Sequence, residues 1–417
     1  MKFLIDGGRR LSGKISVQGA KNSILPILAA CALCRGEIIL HNCPELSDVV
    51  SASNILRHLG VSVERKGDTL CVISTGITSC EVPDELMREM RSSALFLGAI
   101  LSESGCAKVS MPGGCELGPR PIDMHISALK KLGAVCDDES GDMYFCAPNG
   151  LVGTHISLWF PSVGATENII LASAKAKGTT VITNAAREPE IVDLARFLNC
   201  CGAHIRGAGS GTIVIDGVNS LGACEYRVMP DRIAAVTFLS AAAITGGDIL
   251  VSNTSSDDIT PVLSPLESAG CCVFSESDSV RLKAPRELKC MNIIKTMPHP
   301  GFPTDAQAII MALSTLCKGS TMFVETIFEN RFRHVGELMR MGADIKTEGN
   351  VAVVNGVNKL RPATVTSTDL RGGAALLLAS LSADGQSTLC DIEHIDRGYQ
   401  HIEKDLNLLG AEVVRKQ

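Results

Sequence analysis

The strongest constraint on the fold of this chain is a sixfold internal repeat. Six times, an Ala-, Leu- and Ile-rich stretch ends at a glycine, and then a β-like run, a loop, a second helix-like stretch and a second glycine follow. Successive repeats lie about 70 residues apart. The first glycines are Gly36, Gly105, Gly178, Gly247, Gly319 and Gly385, and the second are Gly60, Gly133, Gly202, Gly270, Gly342 and Gly410. One such unit cannot bury both faces of its helices, so several must pack together.

The segment that closes each repeat predicts a helix followed by a β hairpin. In NILRHLGVSVERKGDTLCVI, for example, apolar residues at helical spacing lead to a glycine, which can end a helix in the left-handed conformation, and two β-rich runs follow. The sixth repeat, DLNLLGAEVV, stops after one strand. Residues 1–20 have the pattern of a β hairpin, and we expect them to supply its missing partner.

Six repeats in 417 residues favour two domains of three repeats each. We place the boundary near RVMPDRI at 227–233, so that the first domain spans 21–229. The second then consists of 1–20 plus 230–417. Each domain is expected to be of the α/β class.

Composition and charge exclude several kinds of partner. A net charge of -6 and an aromatic content of 4% argue against a nucleic-acid-binding surface. No apolar run is long enough for a membrane-spanning helix, and the start of the chain does not have the pattern of a secretion signal. We therefore expect a soluble, cytoplasmic protein in which any anionic partner meets a local cluster of cations.

The seventeen cysteines do not indicate a disulfide scaffold, because they make up only about 4% of a long chain. Most are expected to be reduced, buried and hydrophobic in character. Cys31 and Cys34 form a CxxC pair in SILPILAACALCRG. Since this stretch is apolar and no second Cys/His pair has metal spacing, we predict core packing there rather than redox or zinc chemistry.

Polar residues recur just ahead of the first helix of each repeat. They are Lys21-Asn22, Arg91-Ser92, Ser162 to Thr166, Asp231-Arg232, Thr304-Asp305 and Asp369 to Arg371. Helix capping explains the Ser, Thr, Asp and Asn residues, but the helix dipole disfavours cations there. Recurrent cations at helix starts, joined by Arg120, Arg331 and Arg397 from the loops, instead predict that side chains converge on an anion.

The loop of the second repeat, MPGGCELGPRPID, contains Cys115 among glycines and prolines. Such turn formers predict a surface loop rather than core. A thiol near cations has a lowered pKa and can act as a nucleophile or proton donor. We therefore predict that Cys115 is functional and differs from the other sixteen cysteines.

These residues resemble one family, the UDP-N-acetylglucosamine 1-carboxyvinyltransferases. The resemblance extends over nearly the whole chain in family order, and the cysteine loop, NAAREPEIVD and GFPTD are highly specific. The other matching stretches are GAKNSILPILAA, MRSSALFLG, PSVGATENI, MPDRI, ETIFENRFRHVGELMRMGA, STDLRGGAALLLA and HIDRGYQHIE.

The resemblance implies a two-domain inside-out α/β barrel, with three repeats per domain. It also implies transfer of the enolpyruvyl group of phosphoenolpyruvate to the 3′-hydroxyl of UDP-N-acetylglucosamine, with release of phosphate and without a metal or other cofactor. This would be the first committed step of bacterial peptidoglycan precursor synthesis, which serves cell-wall formation, cell shape and division. The reaction would be an addition followed by an elimination, through a tetrahedral ketal.

The resemblance also implies roles for individual residues. Cys115 would donate a proton to C3 of phosphoenolpyruvate and would be the target of the antibiotic fosfomycin, and Asp305 would be the base towards the sugar hydroxyl. Lys21, Arg120 and Arg397 would hold the phosphate, Arg331 and Arg371 the carboxylate, and Asn22 would lie at the reacting centre. The nucleotide sugar would contact Asn22, Arg91, Arg120, Pro121, Ile122, Asp123, Met124, Ser162, Val163, Gly164, Thr304, Asp305 and Ile327.

Two departures and two alternatives accompany this resemblance. Phe160 and Ala234 stand where some members of the family have Lys and Glu. Because phenylalanine has no charge, a phosphate contact at Phe160 is doubtful. The alternative functions are a 5-enolpyruvylshikimate-3-phosphate synthase-like enzyme, which the cysteine loop and REPEIVD disfavour, and a non-catalytic protein that binds the nucleotide sugar. Asp305 could also simply cap its helix.

Overall fold

The structure is a computed structural model that describes residues 1–110, 122–137 and 142–417. Cys115, Arg120 and Pro121 lie outside these ranges, so the roles predicted for them stay predictions. Within the described ranges, no helix has both the length and the apolar character needed to cross a bilayer. No group of three or more His, Cys, Asp or Glu side chains in this part of the chain is arranged to hold a metal ion.

The chain starts with two strands and continues through three repeats of helices and strands. The strands are β1 (Lys2–Asp6) and β2 (Ser12–Ser16). The first repeat contains α1 (Lys21–Cys31), β3 (Gly36–His41), α2 (Ser47–His58), β4 (Ser62–Lys66) and β5 (Thr69–Ser74). The second contains α3 (Asp84–Glu89), a 3-10 helix (Arg91–Ala94), α4 (Leu95–Ser104), β6 (Cys106–Ser110), α5 (Asp123–Lys131), β7 (Val135–Asp137) and β8 (Asp142–Cys146). The third contains β9 (His155–Ser157), α6 (Val163–Ser173), β10 (Thr179–Thr183), α7 (Pro189–Cys200), β11 (His204–Arg206), β12 (Thr212–Asp216) and β13 (Glu225–Arg227).

The remaining three repeats follow the same order. The fourth contains α8 (Arg232–Ile244), β14 (Asp248–Ser252), α9 (Ser256–Ser268), β15 (Cys272–Ser275) and β16 (Ser279–Lys283). The fifth contains β17 (Ile293–Lys295), α10 (Thr304–Ser314), β18 (Ser320–Val324), α11 (Val335–Arg340), β19 (Asp344–Glu348) and β20 (Val351–Asn355). The sixth contains β21 (Thr364–Thr366), α12 (Leu370–Ser382), β22 (Gln386–Cys390), α13 (Glu393–Asp396), α14 (Ile402–Leu408) and β23 (Val413–Lys416).

The described strands form six sheets, five of which share one pattern of four strands. The strand that follows the central helix lies between a parallel and an antiparallel partner, and a fourth strand extends the antiparallel side. The five orders are β13-β3-β5-β4, β9-β10-β12-β11, β2-β14-β16-β15, β17-β18-β20-β19 and β21-β22-β1-β23. In the sixth sheet, β6-β8-β7, a bridge between Glu81 and Lys108 occupies the place of the parallel strand.

The two N-terminal strands belong to different sheets. β1 pairs antiparallel with β22 and β23, with Lys2 opposite both Cys390 and Lys416, so the prediction that the N-terminus completes the sixth repeat is confirmed. The predicted hairpin is wrong, because β2 pairs parallel with β14. Gly7, which lies between the two strands, is so close to the carbonyl oxygens of Ser380 and Ala383 that no side chain would fit.

The described chain divides into two compact units, one formed by residues within 19–229 and the other by residues 1–18 and 230–417. In the first unit α1, α4 and α6 pack together, and in the second α8, α10 and α12 do. All thirteen residues of α8 are buried. Each unit therefore has helices at its centre and sheets around them, which is the inside-out α/β arrangement that the resemblance implies and the reverse of a barrel with central strands.

The central helices pack closely because their side chains are small. α8 reads RIAAVTFLSAAAI and α12 reads LRGGAALLLASLS. Small residues let helix axes approach, while each buried leucine of α12 contributes about 2 kcal/mol of transfer free energy. A core made in this way needs few aromatic residues, which accounts for their scarcity in the chain.

The second glycine of each repeat follows the outer helix, as predicted. These glycines come two residues after the ends of α2, α5, α7, α9, α11 and α14, and their φ angles run from 91° at Gly60 to 102° at Gly133. A residue with a Cβ would be strained there. The repeat thus marks six real helix ends.

The cysteines depart in part from expectation. All sixteen in the described residues are free thiols, and Cys31 and Cys34 are buried in the core, as predicted. The expectation that most would be buried is wrong, since six are buried and two, Cys200 and Cys272, are exposed. Several of the others lie on strands such as β5 and β6, where alternate side chains face outwards.

Candidate active site

Asp305 lies at the start of α10 between two buried arginines. Its Oδ1 accepts a hydrogen bond from Nη2 of Arg331 at 3.1 Å, and its Oδ2 accepts from Nε and Nη2 of Arg371 at 3.3 and 3.0 Å. The Asp305 side chain is 29% exposed, while those of Arg331 and Arg371 are 3% and 4% exposed. The alternative of a helix cap is wrong, because Pro303 occupies the cap position.

The charges of this group favour an ionised carboxylate. Burial acts to raise the pKa of Asp305, but Arg371, Arg331 and Arg232 outweigh it and hold the pKa well below the usual range. Burial likewise opposes the charge of Arg371, yet Tyr399 and Asp305 raise the pKa of its guanidinium. Two guanidinium groups thus face the carboxylate of Asp305, while Asp231 also acts on Arg371 and Arg331 also acts on Asp369.

Glu325 organises the turn that precedes Arg331. This buried carboxylate accepts hydrogen bonds from the N–H groups of Ile327 at 2.8 Å and Phe328 at 3.1 Å, and from the hydroxyl of Thr304 at 3.0 Å. Arg331 in turn donates to the carbonyl oxygen of Thr304 from Nη2 at 2.9 Å and from Nε at 3.3 Å. Glu325 therefore brings together Thr304 and Ile327, both of which were predicted to contact the nucleotide sugar, although sequence reasoning did not single out Glu325.

The first turn of α12 holds Arg371. Oδ1 of Asp369 accepts from the N–H groups of Arg371 at 3.0 Å and Gly372 at 3.1 Å, which caps the helix. A side chain at Gly372 would contact the hydroxyl of Thr368 at 2.7 Å and Cβ of His334 at 3.1 Å. Glycine thus permits this packing. Burial lowers the pKa of His334 to about 4, so the imidazole adds no charge here at neutral pH.

Arg397 lies on a segment fastened to the start of the same helix. It is half-buried at the end of α13. Gly398 lies so close to Leu370, the first residue of α12, that an added Cβ would meet the Leu370 side chain at 2.7 Å. Gln18 donates from Nε2 to the Gly398 carbonyl at 3.0 Å and accepts from the N–H of Gln400 at 2.7 Å. This clamp by Gln18 was not predicted from the sequence.

In the first unit, Lys21 is the first residue of α1 and is paired with a carboxylate. Its Nζ lies 2.7 Å from Oδ2 of Asp48, and their side chains are 11% and 5% exposed. The neighbouring Asn22 is exposed. Asp48 stands in the first turn of α2, where an acidic residue is commonplace, so this partner could not be recognised from its sequence position.

Asp193, in the specific stretch NAAREPEIVD, anchors the same helix start. It accepts hydrogen bonds from the hydroxyl of Ser23, from Tyr226 at 2.6 Å and from the N–H of Met229 at 3.1 Å. Burial raises the pKa of Asp193. The stretch thus supports the residues next to Lys21 and Asn22.

Several residues predicted to bind the nucleotide sugar share one neighbourhood in this unit. Ser162 caps α6 by accepting from the N–H of Ala165 at 3.4 Å, and Asn168 of that helix contacts His125 at 2.8 Å and donates to the carbonyl of Ala94 at 3.1 Å. These contacts bring together the middle of α6, the first turn of α5 and the end of the 3-10 helix Arg91–Ala94; the side chain of Arg91 is not described. Met124, Val163 and Gly164 are half-buried, Asp123 is exposed and Ile122 is buried.

Phe160 and Ala234, the two residues that depart from the family pattern, have different surroundings. Phe160 precedes α6, and its ring lies 6.0 Å from that of Trp159, which is 81% exposed. Ala234 is fully buried in α8, where its N–H donates to Asp231. An alanine fits this core position without loss of a hydrogen bond.

Comparison with known proteins defines the class to which this fold and site belong. The family model described as EPSP synthase (3-phosphoshikimate 1-carboxyvinyltransferase) matches residues 5–406. The enolpyruvyl transferase NikO from Streptomyces tendae superposes with a TM-score of 0.89 at 26% identity, covering 99% of this chain and 98% of its own. EPSP synthase from Acinetobacter baumannii shares the fold, with a TM-score of 0.78 at 21% identity over 99% of this chain and 100% of its own.

Curated relatives show to which family of enolpyruvyl transferases the chain belongs. UDP-N-acetylglucosamine 1-carboxyvinyltransferase 2 of Caldanaerobacter subterraneus subsp. tengcongensis is 48% identical over 414 residues, which is 99% of each chain. UDP-N-acetylglucosamine 1-carboxyvinyltransferase 1 of Symbiobacterium thermophilum is 49% identical over 419 residues, 99% of this chain and 95% of that protein. The chain therefore belongs to the UDP-N-acetylglucosamine 1-carboxyvinyltransferase family, and the resemblance noted in its sequence is confirmed.

Proposed function

We propose that the protein transfers the enolpyruvyl group of phosphoenolpyruvate to the 3′-hydroxyl of UDP-N-acetylglucosamine and releases phosphate. The observation that carries this proposal is the pair of buried guanidinium groups, Arg331 and Arg371, which face the single carboxylate of Asp305. Their planar guanidinium donors suit a small substrate that carries two anionic groups. The names of the relatives supply the identity of the acceptor.

Each anionic group of phosphoenolpyruvate has proposed partners in the chain. Arg331 and Arg371 bind the carboxylate, to which each can present a fork of N–H donors. Lys21, Arg120 and Arg397 bind the phosphate. Because Lys21 is paired with Asp48, we expect its ammonium group to divide its hydrogen bonds between Asp48 and the substrate.

The chemistry requires one proton donor and one base. In the addition, the sugar oxygen bonds to C2 and gives its proton to Asp305, while Cys115 protonates C3. In the elimination, C3 loses a proton and the bond from C2 to the phosphate oxygen breaks, which restores the enol ether and releases phosphate. Asn22 hydrogen-bonds at the reacting centre. These steps need positioned donors and acceptors, which contribute about 10²- to 10⁴-fold each.

The environment of Asp305 adds a condition to this mechanism. A carboxylate whose pKa is held far down by two arginines is a weak base. A substrate carboxylate that takes hydrogen bonds from Arg331 and Arg371 removes part of that stabilisation, so the pKa of Asp305 rises. The base is therefore strengthened only when phosphoenolpyruvate is bound.

We assign the nucleotide sugar to the neighbourhood of Ser162, Val163 and Gly164, with Arg91 and residues 120–124, and further contacts at Thr304 and Ile327. The N–H groups at the start of α6 are suited to a diphosphate. These residues lie in the proposed domains 21–229 and 1–20 plus 230–417. We place the reaction in the cytoplasm, as part of peptidoglycan precursor synthesis, because the free thiols fit a reducing compartment.

The direct test is phosphate release by the purified chain with both substrates together and with each alone. We expect phosphate release only with both substrates. The mass of the product should be that of the nucleotide sugar with one hydrogen replaced by an enolpyruvyl group. Shikimate 3-phosphate serves as the control acceptor. Turnover with that acceptor alone would show a different enzyme, and binding of the nucleotide sugar without release of phosphate would show a non-catalytic protein.

A further inference from the structure

Tyr399 is a buried side chain behind the arginine pair for which the mechanism above has no role. It is 2% exposed. Nη1 of Arg371 lies 3.1 Å from the Tyr399 hydroxyl, and the guanidinium carbon lies 5.5 Å from the centroid of the ring. This combines a hydrogen bond with a cation–π contact on the side of Arg371 that does not face Asp305.

The direction of the hydrogen bonds through Tyr399 can be worked out. Arginine only donates, so the Tyr399 oxygen accepts from Arg371. The hydroxyl of Thr237, one turn along α8, donates to the carbonyl of Ile233 at 2.8 Å. The remaining contact, 2.8 Å between the Tyr399 and Thr237 hydroxyls, is therefore donated by Tyr399. A single chain of hydrogen bonds leads from Arg371 to the backbone of α8.

This chain fixes one edge of the Arg371 guanidinium while the other edge faces Asp305. Nη1 contacts Tyr399, whereas Nε and Nη2 contact the Asp305 carboxylate. Without the tyrosine hydroxyl, a buried cationic N–H loses its acceptor, which is costly. The Arg371 guanidinium would then rotate to find another acceptor, away from the geometry that suits a carboxylate ligand.

Tyr399 also lies two residues after Arg397. Gln18 holds this segment through hydrogen bonds to Gly398 and Gln400, the residues on either side of Tyr399, and Gly398 packs on Leu370. The backbone position of Tyr399 is therefore fixed independently of Arg371.

We propose that Tyr399 is a positioning residue that holds Arg371 in the orientation that binds phosphoenolpyruvate. This inference rests on the proposed function for its substrate. The Tyr399 hydroxyl is the second contact that keeps Arg371 in place, on the side opposite Asp305. The tyrosine itself does not touch the substrate.

The first test is Tyr399→Phe, which removes the hydroxyl and keeps the ring. We expect the KM for phosphoenolpyruvate to rise about ten-fold or more, while the KM for UDP-N-acetylglucosamine changes less than about two-fold. Tyr144→Phe, at a 45% exposed tyrosine, is the matched control and should change neither constant. An equal rise in both constants for Y399F would indicate general loosening and would overturn the proposal.

A second variant tests the chain of hydrogen bonds. Thr237→Val removes the acceptor of Tyr399 but leaves the contact with Arg371, so its effect on the KM for phosphoenolpyruvate should have the same sign and be smaller. Because both changes act through one chain, the double variant should be no worse than Y399F alone. Additive effects would contradict a shared chain.

A third measurement does not depend on catalysis. In protein with ¹⁵N-labelled arginine, the Nε–H signal of Arg371 can be assigned by its loss in Arg371→Lys. We expect its exchange with solvent to be at least about ten-fold faster in Y399F than in the wild type or Y144F. Unchanged exchange would overturn the positioning role. Absence of enolpyruvyl transfer in the wild type would overturn the proposed function alone.

Discussion

Three central helices of the second unit begin near an aspartate, and one of the three differs from the others. Asp231 and Asp369 directly precede α8 and α12, and Oδ1 of each accepts two backbone N–H hydrogen bonds at 2.9 to 3.1 Å. Asp305 is the second residue of α10, and its oxygens accept from arginine side chains instead. Equivalent places in the repeat thus hold two structural carboxylates and one suited to chemistry.

The difference comes from a shift along the helix. An N-cap residue has non-helical backbone angles, such as ψ of 102° at Asp231, which lets its side chain reach back to the first turn. Pro303 takes that place before α10 and has no side-chain acceptor. Asp305 is therefore already inside the helix, and its carboxylate is available to Arg331 and Arg371. A residue type alone does not separate these roles.

The same substitution at two helix starts tests most directly whether Asp305 and Asp231 have different roles. Asp305→Asn should lower kcat/KM by about 10³-fold or more, because the amide cannot accept the proton of the sugar hydroxyl. Asp231→Asn should leave stability nearly unchanged, since asparagine caps a helix as well as aspartate does, and should lower activity far less than Asp305→Asn, because it removes only the charge of Asp231 that acts on Arg371. Steady-state kinetics and thermal unfolding of the two variants measure this. Similar activities for D305N and D231N would show that Asp305 is no base.

Cys115 extends the comparison to residues of one type in different surroundings. Cys115→Ser should reduce turnover about 10²-fold or more while nucleotide-sugar binding, measured by calorimetry, persists. Fosfomycin should alkylate Cys115 ahead of the exposed Cys200 and Cys272, as read by peptide mass. Partial burial and the neighbouring thiol of Cys224 raise the pKa of Cys200, and a thiol with a raised pKa is a poor nucleophile. Labelling of either exposed cysteine first would contradict the assigned role of Cys115.

The pH dependence of catalysis tests the proposed strengthening of Asp305. In the free protein its pKa lies below the usual range, so Asp305 should not limit kcat/KM on the acid side. With phosphoenolpyruvate bound its pKa rises, so the acid limb of kcat should lie at higher pH than that of kcat/KM. Coincident limbs would argue against this. The ion pairs of Asp305 also stabilise the fold above the ordinary Asp pKa of about 3.9, a contribution lost only as pH falls through the lower folded value.

The smallest effect is expected for loss of a cap. Asp231→Ala removes the acceptor for the N–H groups of Ile233 and Ala234 and should lower the free energy of unfolding by about 1 kcal/mol. Denaturant unfolding measures this, with D231N as the matched control. A change in D231A activity that exceeds its loss of stability would mean that Asp231 does more than cap α8.

Prediction of the fold succeeded where the signal was local and repeated. Glycines such as Gly60 and Gly133 end helices because only glycine adopts their φ without strain, and this can be read from a single repeat. The hairpin expected for residues 1–20 failed because β1 and β2 pair with strands from distant parts of the chain. Gly7, between the two strands, approaches the carbonyl oxygens of residues 380 and 383, which is another contact between distant segments.

Sequence reasoning singled out charged residues that the structure brings together, and it missed the residues that hold them in place. Arg331, Arg371 and Asp305 were singled out, and the structure brings them together. Glu325 and Tyr399 were not, because a single glutamate or tyrosine has no distinctive spacing. Their roles depend on hydrogen bonds to backbone groups and side chains far along the chain, such as Thr237, 162 residues before Tyr399.

The number of repeats, the helix ends, the cations at the helix starts and the resemblance to one family can be read from the amino-acid sequence alone. These follow from local preferences of the backbone and from the periodic placement of apolar residues. That Asp305 pairs with arginines while Asp231 and Asp369 cap helices depends instead on how the folded chain packs. The physical reason is that a carboxylate accepts from whichever donor lies within about 3 Å, and packing of distant segments sets which donor that is.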